Sequence, residues 1–268
     1  MPRRAAVLGR PVAHSLSPAL WRAAFAADGL DWTYDAIECD EGQLPAVLAD
    51  CAADPEWAGV SLTMPLKLAA ARLLPAADGL GAVNTVVFRD GEMTGHNTDV
   101  DGIRAAVATV CAGRPGQVVV LGAGGTARAA LSACRQLSPS AVDVVARRPD
   151  VVAAELAALG GDPPLRLLPW SRAHAAIAAA DLVVATTPAG ATDELAFASW
   201  PAGAALVDVV YAPWPTRLAD AAAAAGAPVA GGLEVLVGQA ATAYRLVTGL
   251  DAPVAAMRAA GEAALAAR

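Results

Sequence analysis

Residues 117–131 read Gln117-Val118-Val119-Val120-Leu121-Gly122-Ala123-Gly124-Gly125-Thr126-Ala127-Arg128-Ala129-Ala130-Leu131. Four consecutive apolar residues suit a strand buried on both faces of a parallel sheet. They run straight into a GxGxxA turn and then an Ala- and Leu-rich stretch that reads as helix. In that context each position has a physical job: Gly122 allows the tight turn, Gly124 lets backbone approach a pyrophosphate, and the small Ala127 lets helix and strand pack closely. The N–H groups at the start of the helix, from Gly125 and Thr126, then face the phosphates. A Gly-rich turn alone is weak evidence, but strand, turn, helix and a following strand together predict a dinucleotide site.

That following strand, 141–146, carries the choice of dinucleotide. An acid roughly 20 residues past the first glycine usually holds the ribose of NAD. Asp143 has the spacing but sits at the start of its strand, away from the binding edge. The carboxyl end supplies Ala146-Arg147-Arg148 instead. Most surface charge pairs are merely solvated, yet two guanidinium groups at this edge suit the 2′-phosphate of NADP.

Working outward, short β-branched runs alternate with helical stretches, the pattern of an α/β fold with a mostly parallel sheet. In the first hundred residues strands are expected near 5–8, 33–38, 59–62 and 83–88, with helices at 17–28 and 44–51. After a linker at 111–116, strands are expected at 117–121, 141–146, 181–185, 205–210 and 228–230. Helices are expected between them at 127–136, 151–159, 170–179 and 216–225. Beyond Gly231-Gly232 the chain reads as helical to its end.

Composition excludes several classes. A chain of 268 residues with a net charge of -7 lacks the basic face that nucleic acid or an anionic membrane requires. No apolar run reaches the roughly 18–20 residues of a membrane span, and the N-terminal segment 5–8 is too short for a signal peptide. Cys39, Cys51, Cys111 and Cys134 have no metal-ligand spacing and are expected as reduced thiols in a cytoplasmic protein. Three dispersed histidines, His14, His96 and His174, make no metal site, and Trp170, Trp200 and Trp214 are expected to pack rather than stack on ligands.

The basic residues are uneven in a different way. Of 19 Lys and Arg, only Lys67 is a lysine, and Asn84 and Asn97 are the only asparagines. An ammonium can lose its proton when its environment demands it, whereas a guanidinium effectively cannot. Lys67 follows an expected strand, as does Gly95-His96-Asn97-Thr98-Asp99. A lysine and an aspartate sharing a site could orient a hydroxyl and move its proton, the step that accompanies hydride transfer to a nicotinamide.

These segments resemble, in order, the signatures of the shikimate dehydrogenases. The resemblance covers Gly9-Arg10-Pro11-Val12-Ala13-His14-Ser15-Leu16-Ser17-Pro18, Thr63/Pro65/Lys67, Gly81-Ala82-Val83-Asn84-Thr85 and Asn97-Thr98-Asp99. It continues through 122–127, Ala146-Arg147-Arg148, Thr186-Thr187-Pro188-Ala189-Gly190, Asp208-Val209-Val210-Tyr211 and 232–239. It implies two α/β domains with a cleft between them. A substrate domain of residues 1–103 would be completed by returning helices 237–268, and a Rossmann-like NADP domain would span 104–236. It implies reversible NADPH-dependent reduction of 3-dehydroshikimate to shikimate in aromatic amino-acid biosynthesis. A quinate/shikimate dehydrogenase of broader specificity and a non-catalytic NADP-binding regulatory module are the alternatives.

Residue by residue, the resemblance makes Lys67 and Asp99 the catalytic pair. It gives Ser15 and Ser17 the substrate carboxylate, Thr63, Asn84, Asp99 and Gln239 the ring hydroxyls, and Tyr211 a place facing the substrate. Gly122, Ala123, Gly124, Gly125, Thr126, Ala127, Arg147, Arg148, Thr186 and Pro188 would hold NADP, with Val209 and Gly232 against its nicotinamide. The partner is a small-molecule substrate, and the protein a monomer or homodimer. Ser61, Ala146, Ala185, Arg148 and Val235 depart from the family's usual Asn, Asn, Asn, Thr and Met. The Lys67-to-Asn84 segment, which includes Pro75, is short.

Overall fold

The protein is described from a computed structural model that covers residues 2–74 and 79–268. The chain divides into two compact units, one of residues up to Asp99 plus Leu236–Arg268 and the other Val100–Val235.

The first unit is built on strands β1 (Arg3–Gly9), β2 (Trp32–Glu38), β3 (Trp57–Leu62), β4 (Thr85–Arg89) and β5 (Glu92–His96), in sheet order β2-β1-β3-β4-β5. β1 runs parallel to β2 and β3, whereas β4 and β5 return antiparallel, so this sheet is mixed rather than mostly parallel. Helices α1 (Ser17–Ala27), α2 (Leu44–Ala53) and α3 (Leu66–Leu73) alternate with its strands. One face of the sheet buries Leu8, Val60, Leu62 and Phe88 against Leu44, Leu48 and Leu66 of α2 and α3. On the other face Trp21 and Phe25 of α1 cluster with Tyr34 of β2 and with Tyr244.

Tyr244 lies on α9 (Gly232–Thr248), and α10 (Val254–Ala266) follows it and packs on α1. Gly59 of β3 has no side chain because one would meet the Val247 Cγ2 of α9 at 2.7 Å and the Val86 carbonyl at 2.9 Å. The close approach of that helix to the sheet thus depends on the glycine.

The second unit carries a six-stranded, all-parallel sheet. Its strands are β6 (Gln117–Leu121), β7 (Ala141–Ala146), β8 (Leu165–Pro169), β9 (Leu182–Ala185), β10 (Ala205–Asp208) and β11 (Val229–Ala230), in order β11-β10-β9-β6-β7-β8. Val118 and Val120 face one apolar core and Val119 and Leu121 the other, which is why β6 reads as an unbroken apolar run. Helices α4 (Asp99–Val110), α5 (Gly125–Arg135), α6 (Pro149–Ala157), α7 (Ala173–Ile177) and α8 (Arg217–Ala224) complete the α/β pattern.

Several expected bounds shift. The expected helix 170–179 is a 3₁₀ turn, Trp170–Arg172, followed by the short α7. The expected strand 205–210 ends at Asp208, whose carboxylate accepts the Val210 N–H at 3.1 Å and the Thr216 hydroxyl at 2.7 Å and so turns the chain away. The expected strand 83–88 begins at Thr85.

Candidate active site

The sheet of the first unit brings three separated segments together. Because β4 runs antiparallel to both neighbours, its first residue, Thr85, pairs with Ser61 near the carboxyl end of β3 and with His96 at the end of β5. Lys67, just past β3, Asn84, just before β4, and Asp99, just past β5, therefore meet at one edge. Backbone bonds tie them, from Leu62 N to Asn84 O, from Asn84 N to His96 O, and from Val83 N to Lys67 O, at 2.7, 3.0 and 2.9 Å.

The side chains form one network. Lys67 Nζ donates to Asp99 Oδ2 at 2.6 Å, and Asn84 Nδ2 donates to Asp99 Oδ1 at 2.8 Å. Both carboxylate oxygens are thus occupied, one by a charge-assisted bond. The Asn84 amide is oriented from behind, since its Oδ1 accepts the Thr98 backbone N–H at 2.7 Å, which leaves its NH₂ to face the carboxylate. Thr98 Oγ1 and Thr85 Oγ1 crowd the same amide, and Gln239 Oε1 of α9 closes the group at 3.4 Å from Thr98 Oγ1. Asn97 turns the chain into α4: its Nδ2 donates to Ala82 O at 2.9 Å and its Oδ1 accepts the Asp99 N–H at 3.2 Å. Asn84, Asn97, Thr98, Asp99 and Gln239 are all buried, whereas the Lys67 side chain keeps 18% of its surface exposed.

Of the expected substrate residues, Lys67, Asn84, Asp99 and Gln239 share this network. Thr63 follows β3 directly and is not hydrogen-bonded to this network, its N–H donating to Leu8 O at 2.9 Å. A Cβ on Gly9 would lie 2.3 Å from Thr63 Cγ2, so the glycine at the end of β1 makes room for that side chain. Ser15 and Ser17 belong to the turn into α1, where the Ser17 N–H donates to Ser15 Oγ at 3.3 Å. Tyr211 belongs to the second unit. Thr85, Asn97 and Thr98 also take part, all within the quoted motifs but given no role there.

In the second unit Gly122 has φ +109°, and a Cβ there would meet Thr186 Oγ1 at 2.7 Å. That hydroxyl donates to Leu121 O at 2.8 Å, holding the strand end against the turn. Gly124 differs: a Cβ would meet nothing within 4 Å, so its open side is free for a ligand to approach. Ala127 is fully buried in the core beneath α5. Arg147 and Arg148 are exposed immediately after β7, which pairs with β6 through Val145 and Leu121 and so ends at the same sheet edge as the Gly122 turn. These groups fit a dinucleotide: open backbone at a helix N-terminus, and guanidinium groups beside it. Asp143 is committed elsewhere, receiving two hydrogen bonds from Arg166 at 2.6 and 2.9 Å.

Thr186 follows β9 and Pro188 is exposed beyond it. Gly232 has no alternative residue, since a Cβ would fall 2.2 Å from the Val209 carbonyl oxygen. Val235 is buried in the core of this unit, and Ala146 and Ala185 are buried strand ends. Pro75 lies outside the described residues. His14 and His174 are exposed, and His96 Nε2 lies 3.1 Å from Thr94 Oγ1. Trp170 donates to Glu194 at 2.6 Å, and Trp214, 41% exposed, lays its ring against Gly231.

A family model described as the shikimate dehydrogenase substrate binding domain matches residues 7–86, and one described as the shikimate 5'-dehydrogenase C-terminal domain matches residues 232–260. A shikimate dehydrogenase (NADP(+)) of Citrifermentans bemidjiense is 38% identical, over 98% of this chain and 94% of its own length. Among solved structures, shikimate dehydrogenase of Mycobacterium tuberculosis is 40% identical with a TM-score of 0.85, covering 98% of this chain and 99% of that one. Shikimate 5-dehydrogenase of Thermus thermophilus, solved in complex with NADP(H) and shikimate, is 36% identical with a TM-score of 0.84 over 98% and 99% of the two chains. These likenesses extend over nearly the whole length of both partners, and the chain belongs to the shikimate dehydrogenase family.

Proposed function

We propose that the protein is an NADP-dependent shikimate dehydrogenase, interconverting shikimate and 3-dehydroshikimate. The observation that carries this reading is the buried network in which Lys67 Nζ stands 2.6 Å from Asp99 Oδ2 while Asn84 holds the other carboxylate oxygen. NADP, when bound, supplies the acceptor for the hydride leaving the alcohol carbon.

Oxidation of the alcohol also releases the hydroxyl proton, and the reverse reaction needs one. Lys67 and Asp99 meet both needs, because the ammonium and the carboxylate hydrogen-bond the reacting hydroxyl and the pair carries its proton. Thr63, Asn84 and Gln239 hold neighbouring ring hydroxyls, and Ser15 and Ser17 donate to the ring carboxylate. Tyr211 is a further substrate-recognition residue. Gly122 to Ala127, Thr186 and Pro188 would hold the dinucleotide backbone, Arg147 and Arg148 the 2′-phosphate, and Val209 and Gly232 the nicotinamide. The substrate is a small acid rather than a nucleic acid or a membrane, consistent with the net charge of -7. Four free thiols suit a cytoplasmic enzyme.

The test is a spectrophotometric assay crossing shikimate and quinate with NADP and NAD. Turnover of shikimate with NADP, well above the other three combinations, is the expected result. Quinate oxidation at a comparable rate would replace it with the broader enzyme, and no turnover of any pair would overturn it.

A further inference from the structure

Tyr34 has no solvent exposure, yet its hydroxyl is not idle. It donates to Ser61 Oγ at 2.8 Å, and the Ser17 side chain lies next to it. The three residues come from different elements, β2, β3 and the start of α1. Tyr34 pairs with Ala5 and Ser61 with Val7, so the phenol reaches across β1 on the face that α1 covers. Ser17 and Ser61 are themselves buried. Burial raises the Tyr34 pKa well above the ordinary phenol value, so the group stays neutral and works as a donor.

Each of these hydroxyls has one proton and rotates freely about its C–O bond. In one arrangement Tyr34 gives its proton to Ser61. When an anion takes the Ser17 proton in a hydrogen bond, the row can turn as a unit: Ser61 donates to Tyr34, Tyr34 to Ser17, and Ser17 to the anion. No bond to hydrogen is broken, and each donor is polarised by the one behind it.

We infer that Tyr34 is a positioning residue, which with Ser61 orients the Ser17 hydroxyl toward the carboxylate of the substrate. This rests on the reading of Ser15 and Ser17 as the carboxylate site. The Tyr34 ring is held independently of its hydroxyl, stacked on Trp21 with centroids 4.7 Å apart, so Tyr34→Phe removes the donor and leaves the packing.

The experiment measures steady-state constants and melting temperature for wild type, Tyr34→Phe, Ser61→Ala and the double variant. Tyr34→Phe is expected to raise the KM for shikimate about tenfold, with kcat within about twofold and the KM for NADP unchanged, as loss of a binding interaction requires. The double variant is expected to be no worse than the poorer single, because both changes interrupt one row. A shikimate KM within about twofold of wild type in Tyr34→Phe, with only the melting temperature lowered, would reduce the contact to packing and overturn the inference. Additive losses in the double variant would also overturn it. Should Tyr34→Phe fold poorly, Ser61→Ala puts the same question from the other end. If the wild type does not oxidise shikimate, it is the assignment of the substrate that fails.

Discussion

Replacing Asn84 by aspartate changes one NH₂ to an oxygen and almost nothing in shape, yet it sets two carboxylates face to face. The Asn84 nitrogen lies 2.8 Å from Asp99 Oδ1. Two negative charges at that separation repel by roughly 6 kcal/mol at an effective dielectric of about 20. The site avoids this by taking up a proton, at a cost of about 1.4 kcal/mol for each pH unit above the ordinary carboxylate value near 3.9. That caps the penalty at roughly 4 kcal/mol near pH 7 and roughly 1.5 kcal/mol near pH 5, and Lys67 beside the other oxygen reduces both. Once protonated, the new carboxyl donates to Asp99 as the amide did, and its second oxygen still accepts the Thr98 N–H.

The folded-state pKa of the variant pair is raised. Its stability relative to wild type is therefore greatest at low pH and is lost as pH rises through that raised value. Urea unfolding of both proteins near pH 5 and near pH 7 measures it. The variant is expected to lose about 2–4 kcal/mol near pH 7 and at most about 1.5 kcal/mol near pH 5. An equal loss at both values would refute the reasoning, because it would mean that the amide does not face the carboxylate.

Three further outcomes follow from the same geometry. Lys67→Ala should lower kcat at least about a hundredfold with little change in melting temperature, and near-normal turnover by the folded variant would remove Lys67 from the chemistry. Arg147→Ala combined with Arg148→Ala should raise the KM for NADP about tenfold or more and leave that for NAD nearly unchanged, and a retained preference for NADP would locate the 2′-phosphate elsewhere. At about pH 8 a thiol reagent should modify one cysteine of the native chain, Cys111, the only one not buried. Burial pushes the Cys51 thiol up to about 11 and Cys134 up to about 12, and raises Cys39 as well. Mass spectrometry finding a second native thiol as reactive as Cys111 would contradict that burial.

The strand–turn–helix at 117–131 is legible because each residue there answers to one local demand: an apolar pair of faces for β6, a positive φ at Gly122, open backbone at Gly124. Edge elements are less so. β5, Glu-Met-Thr-Gly-His, pairs only with β4 and buries little beyond Gly95, and β8 is likewise an edge strand with no fully buried residue. Neither carries the apolar run that announces a strand. α3 contributes only a few core residues, Leu66, Ala69 and Ala70, in a stretch whose sequence is dominated by the Thr63–Lys67 motif.

The site shows the same contrast. Lys67 and Asn84 stand out by rarity, and Asp99 by its motif just past a strand. Tyr34 does not, and the role of Thr98 within its motif is not readable either, because their contribution depends on which strands become neighbours. The antiparallel return of β4 brings Thr98 to Asn84, and the parallel pairing of β2, β1 and β3 brings Tyr34 to Ser61. The hairpin of β4 and β5 is closed by the local Asp90-Gly91 turn, but the parallel neighbours β2, β1 and β3 are far apart in sequence, and no local pattern encodes which of them lie side by side.

The Lys67–Asp99 pair also determines how the enzyme can be watched. With a single lysine in the sequence, reductive methylation with isotope-labelled formaldehyde marks one side chain and the terminal amine. That side chain is the one 2.6 Å from Asp99, and it is partly accessible to reagent. A two-signal magnetic resonance spectrum then reports directly on the ammonium, its neighbouring carboxylate and any ligand that arrives between them, free of the overlap that a lysine-rich relative would impose.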